Sequence, residues 1–555
     1  MWVERKAGES MKIDTILNNG AIYTGDPNRP FARSVGIHHG VVIGLDDDLS
    51  GVEAVTYADL GGRCTVPGFN DAHMHFSTMG VEMSQLDVSY TAAESLDALY
   101  GLVEEHAASL SADAWVIGHG YDQNRIGGHP DLRVLDTITG GRPAYLLHNS
   151  HHMAVVNSPA LAAAGIDAAE HMVVPPGGDL GRDSDGRFTG LLLERAMTIV
   201  SSAIWPLELE TIVSGIGAAS EWAVRNGLTS ATEPGLGGDV IGNSAVDFRA
   251  FQVAHERGLL DVRMTLMPYI TAFHELGGSD RPEGWGIDLG LRSGFGDRFL
   301  RLGPVKMLTD GSLIGRTAAT CCEYRGEPGN RGLLQWEGPE IEQLIVDAHV
   351  NGWQVAAHAI GDRSLNHVLD GVEKAQAKLY RPDHRHRIEH AAIVSPEQVE
   401  RIARLGMVPV PQGKFISTLG DGFLEALEDD QHSHIYRMQS FLDAGVCLPG
   451  SSDAPVVAGE PLQGIHDMVN RKTTAGRVLG ESERVTVSEA VRAYTFGSAF
   501  AVHEGDVKGV LAPGYLADLV VLSDDIFTIA AERIGELEVI ATMVNGSFVF
   551  DSAIQ

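Results

Sequence analysis

Between residues 66 and 455 a short apolar run ending in polar or ionisable residues recurs eight times, with helix-patterned segments between the runs. The runs are VPGFNDAHMHF, GLTSATEP, LDVRMTLMPYI, LGPVKMLTDG, WQVAAHAIG, HRIEHAA, MVPVPQG and VCLPGSSDAP. Parallel strands need long crossovers and are buried on both faces, so repeated strand, loop and amphipathic helix point to parallel β/α construction. Eight such strands suit a (β/α)8 barrel, an α/β fold of the TIM type. Two helical stretches, LELETIVSGIGAASEWAVRNG and GPEIEQLIVDAHVNG, carry their own stop in a closing Asn-Gly suited to a left-handed C-cap.

The two ends of the chain follow a different period. IDTILNNGAIYT, SVGIHHGVVIGLD and AVTYADLGGRCTVPG alternate apolar and polar residues and turn at Asn-Gly or His-Gly. GDVKGVLAPGYLADLVVLSDD and LEVIATMVNGSFVFD do the same near the C-terminus. The expected organisation is a small discontinuous β-sandwich, from residues 1–65 and 505–555, beside a barrel over 66–504. About 150 residues separate the first barrel run from the second, too many for an ordinary βα loop. Residues 85–205 are therefore expected to form an inserted lid or subdomain, with a helix in AAESLDALYGLVEEHAASL and a hairpin in PPGGDLGRDSDGRFTGLLLERA. Residues 1–10, ahead of Met11 and the first alternating run, read as a dispensable extension.

Charge narrows the partners. With Lys+Arg 41 against Asp+Glu 74, the 555-residue chain carries a net charge of -33, and a phosphate backbone or an anionic bilayer would repel it. Neither nucleic acid nor a membrane is expected as a partner. The N-terminal residues lack the apolar segment of a signal peptide, and no long apolar run follows, so a cytoplasmic protein is expected. Four Cys without CxxC spacing argue against a disulfide framework, and against 23 His they make imidazole and carboxylate the expected donors of any metal site.

His73 and His75 close the first barrel run at i, i+2 spacing, which on a strand puts both rings on one face, able to hold one ion. Taken alone, the pair also reads as two polar residues at a strand end. Lys306, His358, His390 and Asp453 end four other runs, and the carboxyl ends of barrel strands converge on one face. Lys306 has two readings. A neutral lysine amine can form a carbamate that bridges two cations; alternatively the ammonium pairs with Asp310 or Glu389.

VPGFNDAHMHF, HHMAVVNSPAL, GGDLGRDSDGRFTGLLLE, KMLTDGSLIGRTA, AAHAIGDRS, RIEHAA and GSSDAPV, in this order over roughly residues 12–550, resemble the amidohydrolase superfamily. The likeness is greatest to its YtcJ-like branch (the amidohydrolase 3 group), which includes N-substituted formamide deformylase. The resemblance implies a (β/α)8 metallohydrolase with two divalent ions, usually zinc. His73, His75 and Asp453 would bind one ion, His358 and His390 the other, and Lys306 as its carbamate would bridge them. Other branches of the superfamily bridge with Glu or Cys.

The chemistry implied is hydrolysis of a non-peptide C–N bond of a small molecule by metal-activated hydroxide, with Asp453 as acid and base. The most specific expectation is conversion of an N-substituted formamide to formate and amine. Another small amide, a cyclic imide or an ester is the alternative, and a non-catalytic assembly protein of the same fold is disfavoured by the intact ligand set. His152, Asp122 and Arg316 match branch motifs and are candidate substrate contacts. Each also has a local reading: His152 bonded within its own loop, Arg316 ordering a βα loop. Glu389, one residue from His390, is expected on the opposite strand face as a structural residue, and Cys321-Cys322 as packing. The partners expected are a small-molecule substrate and, as a homodimer, a second copy of the chain.

Overall fold

The protein is described by a computed structural model covering residues 12–166, 172–204, 206–238, 241–277 and 284–554. The extension expected at residues 1–10 lies outside the described residues.

Two four-stranded parallel sheets form the centre. In one, Phe69–Asp71, Leu228–Leu236, Arg263–Pro268 and Leu300–Leu302 are neighbours; in the other, Val305–Leu308, Val355–Ala359, Arg387–His390 and Val408–Val410. A parallel bridge from Tyr269 to Lys306 joins them at one edge. At the other, residues 446–453 run between them. Gln412 bridges to Ser451, Ala72 N donates to Gly450 O at 3.0 Å, and Asp453 N donates to His73 O at 2.7 Å. The order of neighbours is the order of the eight sequence runs. Two details differ from the expectation. The fourth run is split at Gly303-Pro304, where proline offers no N–H to the ladder, and the eighth contributes bridges without a regular strand. The helices Leu209–Arg225 and Gly338–Val350 end where the Asn-Gly stops put them, with Gly227 and Gly352 at positive φ.

The N- and C-terminal strands share a sheet. Cys64–Pro67, which straddles the expected boundary at 65, pairs parallel to Ala21–Tyr23 and antiparallel to Leu519–Leu522. Ile22, Val35, Leu519, Val521 and Met543 are buried together between this sheet and the one formed by Lys12–Asn18, Val35–His38, Val41–Leu45 and Glu53–Asp59.

The insertion is richer in strands than the sequence suggested. The expected hairpin, Gly178–Arg182 with Phe188–Glu194, is the edge of a six-stranded sheet that runs on through Met153–Val156, Ala144–His148, Val116–Tyr121 and Leu86–Asp87. Short strands interrupted by HNSHH give too little alternation to be recognised singly. Among the described residues no single helix is long and apolar enough to cross a membrane.

Candidate metal centre

The first barrel strand stops at Asp71, and the backbone of Met74 continues the ladder by donating to Thr232 O at 3.0 Å. Met74 is buried in the core while His73 and His75 line a cavity at the carboxyl ends of the strands. Lys306, His358, His390 and Asp453 line the same cavity. Asp453 Oδ1 lies 3.3 Å from His73 Nε2 and 3.4 Å from His75 Nε2, and Oδ2 lies 3.9 Å from His390 Nδ1. His73, His390 and Asp453 each offer a ligand atom within 4.8 Å of the others. Lys306 Nζ is 3.5 Å from His73 Nε2. The six residues singled out from the sequence are thus gathered in one place.

Local backbone conformation produces part of this convergence. His390 has φ 72° and Asp453 φ 62°, left-handed values that a non-glycine residue adopts at a cost. In regular β alternation Glu389 would face the barrel interior and His390 would not. The turn at His390 brings its ring within 4.5 Å of the His358 ring and 5.2 Å of the His73 ring, centroid to centroid. Glu389 is therefore not on a face away from the site, as the spacing suggested. It is fully buried, accepts from His73 Nδ1, and is held by Arg387 Nε at 2.8 Å and Nη2 at 2.9 Å.

Three of the four histidines commit one ring nitrogen to an acceptor outside the cluster. His73 uses Nδ1 for Glu389, His390 uses Nδ1 for Gln412 Oε1 at 2.9 Å, and His358 uses Nε2 for Gly311 O at 3.1 Å. Metal-binding imidazoles are oriented in this way, with the other nitrogen left as donor to the ion. Protonation suits the same purpose. Burial holds His75, His358 and His390 below the ordinary imidazole range, His390 at about 3. Burial works to raise the Asp453 carboxyl, but His73, His75 and His390 outweigh it and keep that carboxyl well below the usual range. Neutral imidazoles beside an ionised carboxylate form a donor set that a divalent cation fits.

Lys306 is 1% exposed, and burial pulls its amine down to about 8. Among the described residues it forms no ion pair with either carboxylate considered above. Asp310 instead accepts from Ala319 N at 3.0 Å, Ile360 N at 3.1 Å and Gly361 N at 2.8 Å, and Glu389 is taken by Arg387 and His73.

The three weaker candidates separate. His152 lines the cavity, its ring 5.7 Å from that of His358, and its Nδ1 bonds Glu194 Oε2 at 2.7 Å. Asp122 does not reach the cavity. Its carboxylate caps the helix Gln123–Ile126 by accepting from Asn124 N at 2.9 Å, the ordinary use of an aspartate before a helix. Arg316 does not reach it either, and instead orders its loop through Glu327 Oε1 at 2.6 Å. Cys321 and Cys322 are exposed, free and outside the cavity, so the packing role expected of them is not observed.

Sequence reasoning missed Gln412, Glu194 and the interior position of Glu389. Glu194 carried a usable signal: like the barrel runs, GLLLE is an apolar run that ends in an acid. The remaining wall is mixed: Phe415, Leu419, Phe423, Ile314, Met197 and Tyr145 form its apolar part, and Thr78, Ser150, His151, Thr198, Ser201, Asn243 and Ser312 add polar groups. Lys306 is the one Lys or Arg among the described lining residues.

A model of the amidohydrolase family matches residues 56–550. The chain is 31% identical to YtcJ of Bacillus subtilis (strain 168) over 98% of its own length and 100% of that protein's. It is 28% identical to N-substituted formamide deformylase of Arthrobacter pascens, over 96% and 97% of the two chains. Among solved structures, a metal-dependent hydrolase from Pyrococcus horikoshii OT3 superposes with a TM-score of 0.73 at 26% identity, covering 93% of this chain and 99% of that one.

Proposed function

The chain belongs to the amidohydrolase family of metal-dependent hydrolases acting on C–N bonds, and on that premise we propose that it hydrolyses small N-substituted formamides to formate and an amine. The observation that carries the reading is the gathering of His73, His75, Lys306, His358, His390 and Asp453 on one cavity that also has an apolar stretch of wall at Phe415, Leu419 and Phe423. Because Lys306 is the one Lys or Arg among the described lining residues, an uncharged substrate is favoured over one bearing a carboxylate. The apolar part of the wall suits an apolar substituent on nitrogen.

His73, His75 and Asp453 would hold one divalent ion and His358 and His390 a second, zinc by the chemistry of the donors, with carboxylated Lys306 between them. Bound there, the metal would lower the pKa of a water towards neutrality and polarise the substrate carbonyl. Asp453 moves the proton. Its Oδ1 faces the same point as His73 Nε2 and His75 Nε2 and would bind the ion with them, which leaves Oδ2 to take the proton from the attacking water and pass it to the departing nitrogen. Glu389 and Gln412 keep the His73 and His390 rings in one orientation throughout.

The test is amine release from a panel of N-substituted formamides, longer acyl amides, cyclic imides and esters, each with neutral and carboxylate-bearing members. Neutral formamides are expected to be turned over fastest. Preference for a carboxylate-bearing or cyclic substrate would overturn the substrate assignment.

A further inference from the structure

His152 and Glu194 stand 42 residues apart in the insertion and are tied twice: Glu194 N donates to His152 O at 2.8 Å, and Glu194 Oε2 bonds His152 Nδ1 at 2.7 Å. Glu194 itself is fixed from the barrel side. Thr317 Oγ1 donates to its Oε1 at 2.6 Å and Gln335 Nε2 to its Oε2 at 3.2 Å. The approach depends on Gly311, since a Cβ there would fall 2.6 Å from Glu194 Oε1 and 2.3 Å from Thr317 Oγ1. Glu194 is buried at φ 51°, a left-handed conformation that is kept where surrounding contacts over-determine it.

These contacts take up one nitrogen of the His152 ring and leave Nε2 for whatever occupies the cavity. The ring lies beside His358 and hence next to the metal donors, rather than out along the apolar wall. We propose that Glu194 is a positioning residue that holds His152 so that Nε2 meets the carbonyl oxygen of the substrate as charge develops on it. The inference rests on the amide-hydrolase reading and adds to it a contact to the reacting group supplied by the insertion. It narrows the expectation that His152 is a substrate contact to one atom of the substrate.

Glu194→Ala, Glu194→Gln and His152→Gln in the metal-loaded enzyme test this. With a formamide that the wild type hydrolyses, His152→Gln is expected to lower kcat about 100-fold, the usual loss of an oxyanion donor. KM and metal content should stay near wild type. Glu194→Ala should follow it, and Glu194→Gln, which keeps an acceptor, should recover part of the rate. Nitrogen chemical shifts of the histidine rings give a readout independent of turnover. In Glu194→Ala the proton on His152 Nδ1 should be lost. Unchanged kcat in His152→Gln, or unchanged His152 ring shifts in Glu194→Ala, would overturn the proposal. If the wild type turns over no amide at all, the functional reading fails, and the ring shifts still decide whether Glu194 orients His152.

Discussion

Glu389 accepts the Nδ1 hydrogen of His73 across 316 residues of chain, so a strand-end histidine of the first barrel run is oriented by the sixth. Against the penalty of burial, Arg387 and His73 hold that carboxyl well below the usual range, so it remains an anionic acceptor. Partners that orient metal ligands typically contribute 10- to 100-fold in metal affinity. Glu389→Gln is expected to lose that much, measured by competition with a metallochromic chelator, while its far-ultraviolet circular dichroism stays that of the wild type. Wild-type affinity would show that the contact has no bearing on metal binding.

Lys306→Ala removes the one Lys or Arg among the described residues that line the cavity. Metal content and activity are both expected to fall, and short carboxylic acids that imitate the lost carbamate should restore part of the rate. Carbon-13 spectra of wild type grown with labelled bicarbonate provide the direct check. A carbamate carbon that appears in the wild type and vanishes in Lys306→Ala is the expected result, and full metal occupancy and rate in the variant would rule out the bridge.

For Asp453→Asn, kcat is expected to fall by about 10² to 10⁴, the range of general acid-base catalysis. Elemental analysis of the same preparation should show a much smaller loss of metal, because His73 and His75 remain. A metallated variant with near-normal kcat would move the proton-transfer role elsewhere.

The barrel was legible because its strands are continuous apolar runs and its helices carry their own caps, both local signals. The convergence of His73, His75, His358, His390 and Asp453 was legible for the same reason, each standing at or near the end of such a run, whereas Lys306 is the second residue of Val305–Leu308 and lies inside its strand. Glu389 was misjudged because period-two alternation assumes extended backbone, and the left-handed turn at His390 breaks it. Asp122 and Arg316 were drawn in by motif likeness, although an aspartate before a helix and an arginine in a loop have sufficient local uses. Contacts between the insertion and the barrel, such as Glu194 with Thr317, depend on how two distant segments pack, and no periodicity records that.

Glu233 makes stability depend on pH. It is buried under Ser77, whose N and Oγ donate to it at 2.9 and 3.0 Å, and burial pushes its carboxyl from the ordinary 4.5 up to about 8. Between those values the folded protein holds a proton that the unfolded chain has released. The contribution is therefore complete below pH 4.5 and is lost as pH rises towards 8. Glu233→Gln cannot ionise, and the drop in its Tm from pH 5 to pH 8 should be smaller than that of wild type. An equal drop in both proteins would mean that Glu233 does not titrate in this window.

The most direct test is the metal content of protein purified without chelators, measured beside amide hydrolysis before chelation, after it, and after zinc is restored. Two equivalents of metal are expected from six ligand residues, more than one tetrahedral ion can use. Activity should be lost with the metal and should return with it. Protein that holds almost no metal yet hydrolyses amides at full rate would contradict the assignment of the His73, His75, Lys306, His358, His390 and Asp453 cluster as a catalytic metal centre.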